Sequence, residues 1–292
     1  MNRLIEALNK PGVLVADGAT GTQLQKAGLP IGITPEQWNL ENPQAILNLH
    51  KSYLDAGSNI ILTNTFGGSR IKLGKDNLAE KCVEINQTAA HLARKAAGET
   101  GIVFGDMGPT GELMAPMGPL KYDQAVVAFA EQAAALAEGG VDAILIETMY
   151  DLSETKAAVE GAKKACNLPV IVTMSFDTRG HTMMGVKPVK AITELWPLGL
   201  AAMGANCGLS LIENLTAIEA MRQADPNIIL MAKPNAGLPH MEGSETVYDV
   251  SPEVIAEYAL KFRDAGVKIF GCCCGSTPEH IRAAAEALHS AT

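Results

Sequence analysis

The chain has 292 residues, of which 47% are hydrophobic and 19% charged, so it can bury a large core, and this composition argues against general disorder. A net charge of −9 without any Lys/Arg-rich run argues against nucleic acid as a partner. The apolar stretches are strand-sized and residues 1–6 lack a signal-peptide core, which predicts a cytoplasmic protein without membrane spans.

Short apolar segments alternate with amphipathic segments along the chain. The apolar segments predict strands near residues 13–17, 59–65, 102–106, 143–147, 169–175, 201–206, 228–233 and 268–272. The amphipathic segments predict helices near residues 43–56, 76–98, 121–139, 151–166, 188–197, 211–224, 251–265 and 277–289. A proline directly after Asn42, Ser251 and Thr277 marks three of the helix starts.

These strand–helix units follow one another without a linker or a low-complexity segment. Strands that alternate with helices form a parallel sheet. Eight units in 292 residues therefore predict one α/β domain over residues 1–292, a closed (β/α)₈ TIM barrel. Neither GxGxxG nor GxxxxGK[ST] occurs, so a nucleotide-binding sheet has no support from its usual motifs.

Four of the six cysteines stand at predicted strand ends. Cys272, Cys273 and Cys274 end the eighth strand, and Cys207 ends the sixth. Because the active sites of such barrels lie at the C-terminal ends of the strands, these thiols should meet at one mouth. Three thiolates with a fourth position left free are typical of a catalytic zinc site. The alternative is that they are small buried hydrophobic side chains, the role we expect for the two cysteines on helices.

Polar residues end five other predicted strands, namely Asp17, Asn64, Asp106, Glu147 and Asn235. Any one of them could be an ordinary loop residue or helix cap. Together they indicate a polar rim at the same end of the barrel as the cysteines.

Residues 271–281, with paired cysteines before Gly-Ser-Thr-Pro-Glu-His-Ile, resemble the GGCCGTTPEHI signature of homocysteine S-methyltransferases. Residues 17–22, 56–66, 105–111 and 233–237 resemble the first, second, third and seventh strands of that family. The sequences of these segments are most similar to the homocysteine-binding module of cobalamin-dependent methionine synthases. The resemblance implies a barrel that binds Zn²⁺ and homocysteine and transfers a methyl group to form methionine.

The family pattern has glycine where this chain has Cys272. Strand alternation alone would place Cys272 and Cys274 on one face. Alignment with the family instead implies that Cys207, Cys273 and Cys274 are the metal ligands and the catalytic residues. Asn235 is a candidate for a resting fourth ligand through its side-chain oxygen, displaced when the substrate thiol arrives, with stabilisation of the seventh loop as the alternative.

The resemblance also implies a substrate site. Asp17 and Glu147 would bind the homocysteine ammonium; the alternative is that they are buried carboxylates bonded to turn N–H groups. Gly18 and Thr20, in the first turn, would contact the substrate carboxylate, unless this is simply a tight turn. Asn206, in the sixth strand, is also predicted to contact the substrate.

The methyl donor is predicted from what the sequence lacks. No DxHxxG, the cobalamin-binding loop, occurs, and the chain ends after its last predicted helix. We therefore expect methyl from methylcobalamin on a separate corrinoid protein or module. One alternative is a methyltransferase that uses a small donor such as S-methylmethionine or betaine; another is a non-enzymatic zinc or thiol redox sensor. Residues 112–120 are either a lid or donor-docking surface or a packed loop.

Overall fold

A computed structural model describes residues 2–177, 179–242 and 245–290 of the chain. Its strands are β1 (Leu14–Val15), β2 (Ile60–Leu62), β3 (Ile102–Met107), β4 (Ala143–Met149), β5 (Val170–Met174), β6 (Ala202–Cys207), β7 (Leu230–Pro234), β8 (Pro239–Glu242), β9 (Glu245–Tyr248) and β10 (Val267–Phe270).

Its α-helices are α1 (Arg3–Leu8), α2 (Gly21–Lys26), α3 (Trp38–Glu41), α4 (Pro43–Asp55), α5 (Arg70–Gly74), α6 (Cys82–Ala97), α7 (Tyr122–Glu138), α8 (Leu152–Ala165), α9 (Pro188–Leu195), α10 (Leu211–Ala224), α11 (Pro252–Asp264) and α12 (Pro278–Ser290). Short 3₁₀ turns lie at Pro35–Gln37, Ala79–Lys81 and Trp196–Leu198. No described helix has both the length and the apolar run that crossing a bilayer requires.

Eight of the strands form one parallel sheet in the order β1-β10-β7-β6-β5-β4-β3-β2. The two outer strands meet, because Ala16 forms a parallel bridge with Ile60 and the Asn59 N–H donates to the Val15 carbonyl at 2.7 Å. These contacts close the sheet, and a helix follows every strand of it. The predicted (β/α)₈ TIM barrel is therefore confirmed.

Several helices begin where their sequences predict. The Asp151 carboxylate accepts the Glu154 N–H at 2.8 Å, and the Ser210 hydroxyl accepts the Glu213 N–H at 3.3 Å. Each side chain satisfies a first-turn N–H that has no partner within its helix. The Asn42 side chain does the same for α4, whose first residue is proline.

Strand alternation divides the core into two layers. Side chains of one parity pack with the helices, as Val103 and Ile144 do. Those of the other parity pack together inside the barrel, as Ile102, Phe104 and Leu145 do. The interior layer is apolar towards the N-terminal ends of the strands, where Leu4 of α1 is fully buried against it.

The inward-facing residues become polar further along strands β3 to β7. The next inward positions after the apolar layer are Asp106 in β3, Glu147 in β4, Thr173 in β5, Asn206 in β6 and Lys233 in β7, all of them buried. A layer of buried polar and charged groups therefore lies above the apolar layer of the barrel.

The structure also contains elements that the sequence patterns did not predict. Helix α1 precedes β1 in the sequence, and helices α2 and α3 follow it. The helix predicted at 76–98 is shorter in the structure, where it is α6, and α5 and a 3₁₀ turn precede it. Strands β8 and β9 form an antiparallel hairpin after β7, in which His240 pairs with Val247. This hairpin lies at the C-terminal end of the barrel, where its Tyr248 contacts the loop that follows β10.

Candidate functional site

Three cysteine sulfurs meet at the C-terminal end of the barrel. The Sγ atoms of Cys207, Cys273 and Cys274 all lie within 4.8 Å of one another, and those of Cys207 and Cys273 are 2.9 Å apart. In the part of the chain that the structure describes, this is the group of His, Cys, Asp or Glu side chains close enough to hold one metal ion. The structure thus brings together the three cysteines that the family pattern indicated.

Backbone turns at both strand ends direct these sulfurs to one point. Cys207 has a left-handed backbone, with φ of 54°, and its carbonyl accepts the Asn214 side-chain N–H at 3.2 Å. Cys207 therefore leaves the strand geometry that would point its side chain outwards. After β10, the Cys273 N–H donates to the Pro234 carbonyl at 2.8 Å, and the Cys274 carbonyl accepts the Ala236 N–H at 2.9 Å.

Gly275 completes the turn after the cysteine pair. Its φ is 79°, and a Cβ at this position would lie 2.1 Å from the Tyr248 ring. Only glycine has both the backbone freedom and the space that this turn requires. The adjacent Cys273 and Cys274 can therefore both face the Cys207 sulfur.

Cys272 lies outside this group. Its side chain is fully buried in the layer between strands and helices, and its N–H donates to the Asp17 carbonyl at 3.0 Å. Burial raises the pKa of its thiol well above the usual value. Cys272 is a neutral core residue in this structure, and the pair that converges on Cys207 is Cys273 and Cys274.

The three clustered sulfurs share negative charge. Hydrogen bonds from the Cys207 and Cys273 thiols lower the pKa of Cys274 to about 3. The pKa of Cys207 is raised because its thiol is hydrogen-bonded to Cys273 and Cys274 and is buried. The hydrogen bonds among the three sulfurs therefore favour ionisation of Cys274 over that of Cys207.

A cavity of about 580 Å³ opens beside the sulfurs. Its wall includes these sequence-predicted residues: Gly18, Thr20, Glu147, Cys207, Cys273 and Cys274. It also includes Asp106, which the sequence placed on the polar rim without a role in binding, and Lys233 and Tyr248, which were not predicted. Asp17, Asn206 and Asn235 are buried but do not belong to this lining.

Lys233 is a buried cation among the predicted ammonium-binding carboxylates. Its Nζ lies 3.2 Å from Glu147 Oε2 and 3.8 Å from Asp17 Oδ1, and all three residues are at most 6% exposed. The other Asp17 oxygen accepts the Leu62 N–H at 2.7 Å. The carboxylates predicted to bind a substrate ammonium therefore already contact one ammonium of the protein.

Burial dominates the electrostatics of this cluster. It raises the pKa of Asp17 to about 7 and also raises the pKa of Glu147, in both cases against the opposing charge of Lys233. Burial acts to lower the pKa of Lys233, but the charges of Glu147 and Asp17 outweigh it, so the net shift is upwards. Lys233 is therefore charged at every physiological pH.

The first turn of the barrel is tightly packed at Gly18. A Cβ there would lie 2.6 Å from Ser276 Oγ and 2.9 Å from the Tyr53 ring. The Ala19 N–H donates to Ser276 Oγ at 2.9 Å, and the Tyr53 hydroxyl donates to the Ala19 carbonyl at 2.7 Å. The turn is thus held in place from β10 and α4, and the Ala19 N–H is already used.

The two predicted asparagines differ in how fully they are bonded. The Asn206 side-chain oxygen accepts the Thr148 N–H at 2.8 Å and the Thr173 hydroxyl at 2.7 Å, while its NH₂ donates to Thr148 Oγ1 at 2.7 Å. Asn206 therefore links β4, β5 and β6. Asn235 donates to the Gly208 carbonyl at 2.9 Å, and its Oδ1 is buried without a hydrogen-bond partner.

Comparison with known proteins places these observations in a family. Residues 14–288 match the family model of homocysteine S-methyltransferase. The chain is 34% identical to methionine synthase of Mycobacterium tuberculosis and 33% identical to that of Mycobacterium leprae, in each case over 94% of its own length. It spans only 24% of the length of those two relatives.

Solved structures show the same fold. The homocysteine methyltransferase MmuM from Escherichia coli, in its metallated form, superposes with a TM-score of 0.83 at 22% identity and covers 98% of this chain and 99% of its own. Its oxidized form gives a TM-score of 0.81 at 23% identity, with both chains covered completely. With the match over residues 14–288, these results show that the chain belongs to the homocysteine S-methyltransferase family.

Proposed function

We propose that this chain is a zinc-dependent homocysteine S-methyltransferase that forms methionine with methyl from a methylated corrinoid. The observation that carries the proposal is the meeting of three cysteine sulfurs at the wall of a cavity that also contains buried carboxylates. A thiol acceptor with an amino-acid head group needs both a thiol-binding metal and an ammonium-binding site. Membership of the homocysteine S-methyltransferase family supports the same acceptor.

The sulfur cluster fits Zn²⁺. Zinc binds thiolates at about 2.3 Å, so the sulfurs of a tetrahedral site are about 3.8 Å apart. The three sulfurs here lie within 4.8 Å of one another, which small side-chain rotations can adjust. Cys207, Cys273 and Cys274 would hold the metal, and the unpartnered Oδ1 of Asn235 makes that residue the candidate for a resting fourth ligand, which the substrate thiol would displace.

The thiol of the substrate must be ionised to attack a methyl group. A free alkyl thiol has a pKa of about 8.5 and is mostly protonated at neutral pH. Bound Zn²⁺ keeps a coordinated thiol ionised and leaves one position for a sulfur from outside the protein. Lys233, in the adjacent cluster, lines the same cavity as Cys273 and contributes a buried positive charge there.

Buried carboxylates beside the sulfurs would orient the acceptor. Glu147 lines the cavity and, with Asp17 behind it, would bind the homocysteine ammonium. Gly18 and Thr20 line the same cavity on the side of the first turn, where the substrate carboxylate would lie. Asn206 would keep β4 and β6 aligned behind the substrate through its bonds to Thr148.

The proposal for the methyl donor rests on the relatives of this chain and on its own sequence. Relatives at 33–34% identity are methionine synthases of which this chain spans 24%. The sequence contains no DxHxxG corrinoid-binding loop of its own. The methyl group would therefore come from methylcobalamin on a separate protein or module, which reaches the sulfurs through the open cavity.

A donor comparison tests this function. Zinc-loaded protein with homocysteine should form methionine from methylcobalamin, and this is measured by methionine release and by the loss of the methyl–cobalt absorbance. Protein treated with a chelator is the control and should be inactive. Turnover with S-methylmethionine or betaine but not with methylcobalamin would replace the corrinoid donor. No turnover with any donor would favour a zinc or thiol redox sensor.

Removal of any one of the three clustered cysteines should abolish metal binding. We expect about one Zn²⁺ per wild-type chain, and loss of that zinc in Cys207→Ala, Cys273→Ala and Cys274→Ala, because a two-sulfur site binds the metal far more weakly. Metal analysis and circular dichroism make the measurement, with the barrel remaining folded since its core does not involve the metal. Cys272→Ala is the matched control and should keep its zinc. Full zinc occupancy in any of the first three variants would contradict the ligand set.

Neutralising Glu147 should weaken the binding of homocysteine but not the binding of zinc. In Glu147→Gln the loss of a charge-assisted contact should raise the homocysteine Kd roughly 10- to 100-fold. Calorimetry on zinc-loaded protein measures the Kd, and zinc content should stay at the wild-type value. Glu138→Gln, on the exposed end of α7, is the control. An unchanged Kd in Glu147→Gln would show that this carboxylate only balances Lys233.

A further inference from the structure

Asp106 continues the inward-facing side of β3, after Ile102 and Phe104. It is 5% exposed and lines the cavity beside the sulfurs. Its Oδ1 is buried and has no hydrogen-bond partner among the described residues. Buried carboxylate oxygens are normally hydrogen-bonded, so an unpartnered one on a residue that lines a cavity indicates that a ligand group supplies the missing partner.

The backbone of Asp106 is held on both sides. Its N–H donates to Thr63 Oγ1 at 2.9 Å, and its carbonyl accepts the Thr65 hydroxyl at 2.7 Å. The two threonine hydroxyls are themselves 2.6 Å apart. The backbone of Asp106 is therefore fixed by the segment that follows β2, which holds the residue on the inward side of β3.

The charges around Asp106 are not balanced within the protein. Asp17, Glu147 and Asp106 are three buried carboxyl groups, and Lys233 is the cation among them. The close contacts of Lys233 are with Glu147 and Asp17, at 3.2 and 3.8 Å. Burial raises the pKa of Asp106 well above its usual value, and the charge of Glu147 raises it further. A second cation in the cavity would favour the ionised form of Asp106, for which the protein itself supplies no close cation among the described residues.

We propose that Asp106 is a further substrate-binding residue, a third carboxylate that binds the ammonium group of the acceptor and selects α-amino thiols over thiols without an amine. The inference rests on the proposed function, because it takes an amino-acid thiol as the acceptor. Asp106 is suited to this role since Lys233 already occupies one oxygen of Glu147 and faces the free oxygen of Asp17.

The test compares two thiols that differ only in the amine. Homocysteine and 4-mercaptobutanoate share a thiol, a chain length and a carboxylate. Calorimetry on zinc-loaded wild-type protein should show tighter binding of homocysteine. In Asp106→Asn the homocysteine Kd should rise about tenfold or more, while that of 4-mercaptobutanoate should stay within about twofold. Asp123→Asn, on the exposed side of α7, is the matched control and should change neither value.

Any other result of these binding measurements overturns the inference. Unchanged discrimination in Asp106→Asn, or equal weakening of both thiols, would give Asp106 a structural role only and leave the proposed function intact. Absence of homocysteine binding by the wild type would overturn the proposed function as well. If the variant does not fold, a crystal structure of the wild-type complex gives the answer. An amine nitrogen within hydrogen-bond distance of Asp106 Oδ1 supports the inference, and contact only with Asp17 and Glu147 overturns it.

Discussion

The register of β7 determines whether the sulfurs of this site can meet. β7 lies between the two strands that carry the cysteines, and its Pro234 is paired with Cys207 on one side. On the other side, the Pro234 carbonyl accepts the Cys273 N–H. A shift of one residue on either side would turn the cysteines or Lys233 to the opposite face of the sheet. The positions of the three clustered sulfurs and of the charged cluster are thus set by the same strand pairings.

Much of the fold could be predicted from the sequence, because each strand is a short apolar run and each helix has a clear start. Asp151 does accept the first-turn N–H that its position before α8 predicts. The hairpin formed by β8 and β9 was missed since its segment, with Pro239 and few alternating apolar residues, has the composition of a loop. The family pattern also indicated the cysteines that converge, which strand alternation alone would not have done.

Lys233 was not predicted as a site residue, and Asp106 was predicted only as part of the polar rim. Both lie two residues beyond an apolar inward-facing residue, Met231 and Phe104, so alternation already placed them inside the barrel. Their depth in the barrel, and hence their mutual distances, depends on strand register, which no single-strand pattern contains. Asn206 shows the converse: the sequence predicted that it contacts the substrate, but not the hydrogen bonds to Thr148 and Thr173 that occupy its side chain.

The central claim is that three cysteine sulfurs form an open metal site. X-ray absorption at the zinc edge tests this claim most directly. The measurement uses zinc-loaded wild-type protein without homocysteine. We expect three sulfur neighbours at about 2.3 Å and one lighter neighbour, nitrogen or oxygen. Four sulfur neighbours would mean that Cys272 also binds and that no position remains for a substrate thiol. Two would mean that one of Cys207, Cys273 and Cys274 is not a ligand, and either result would contradict the account.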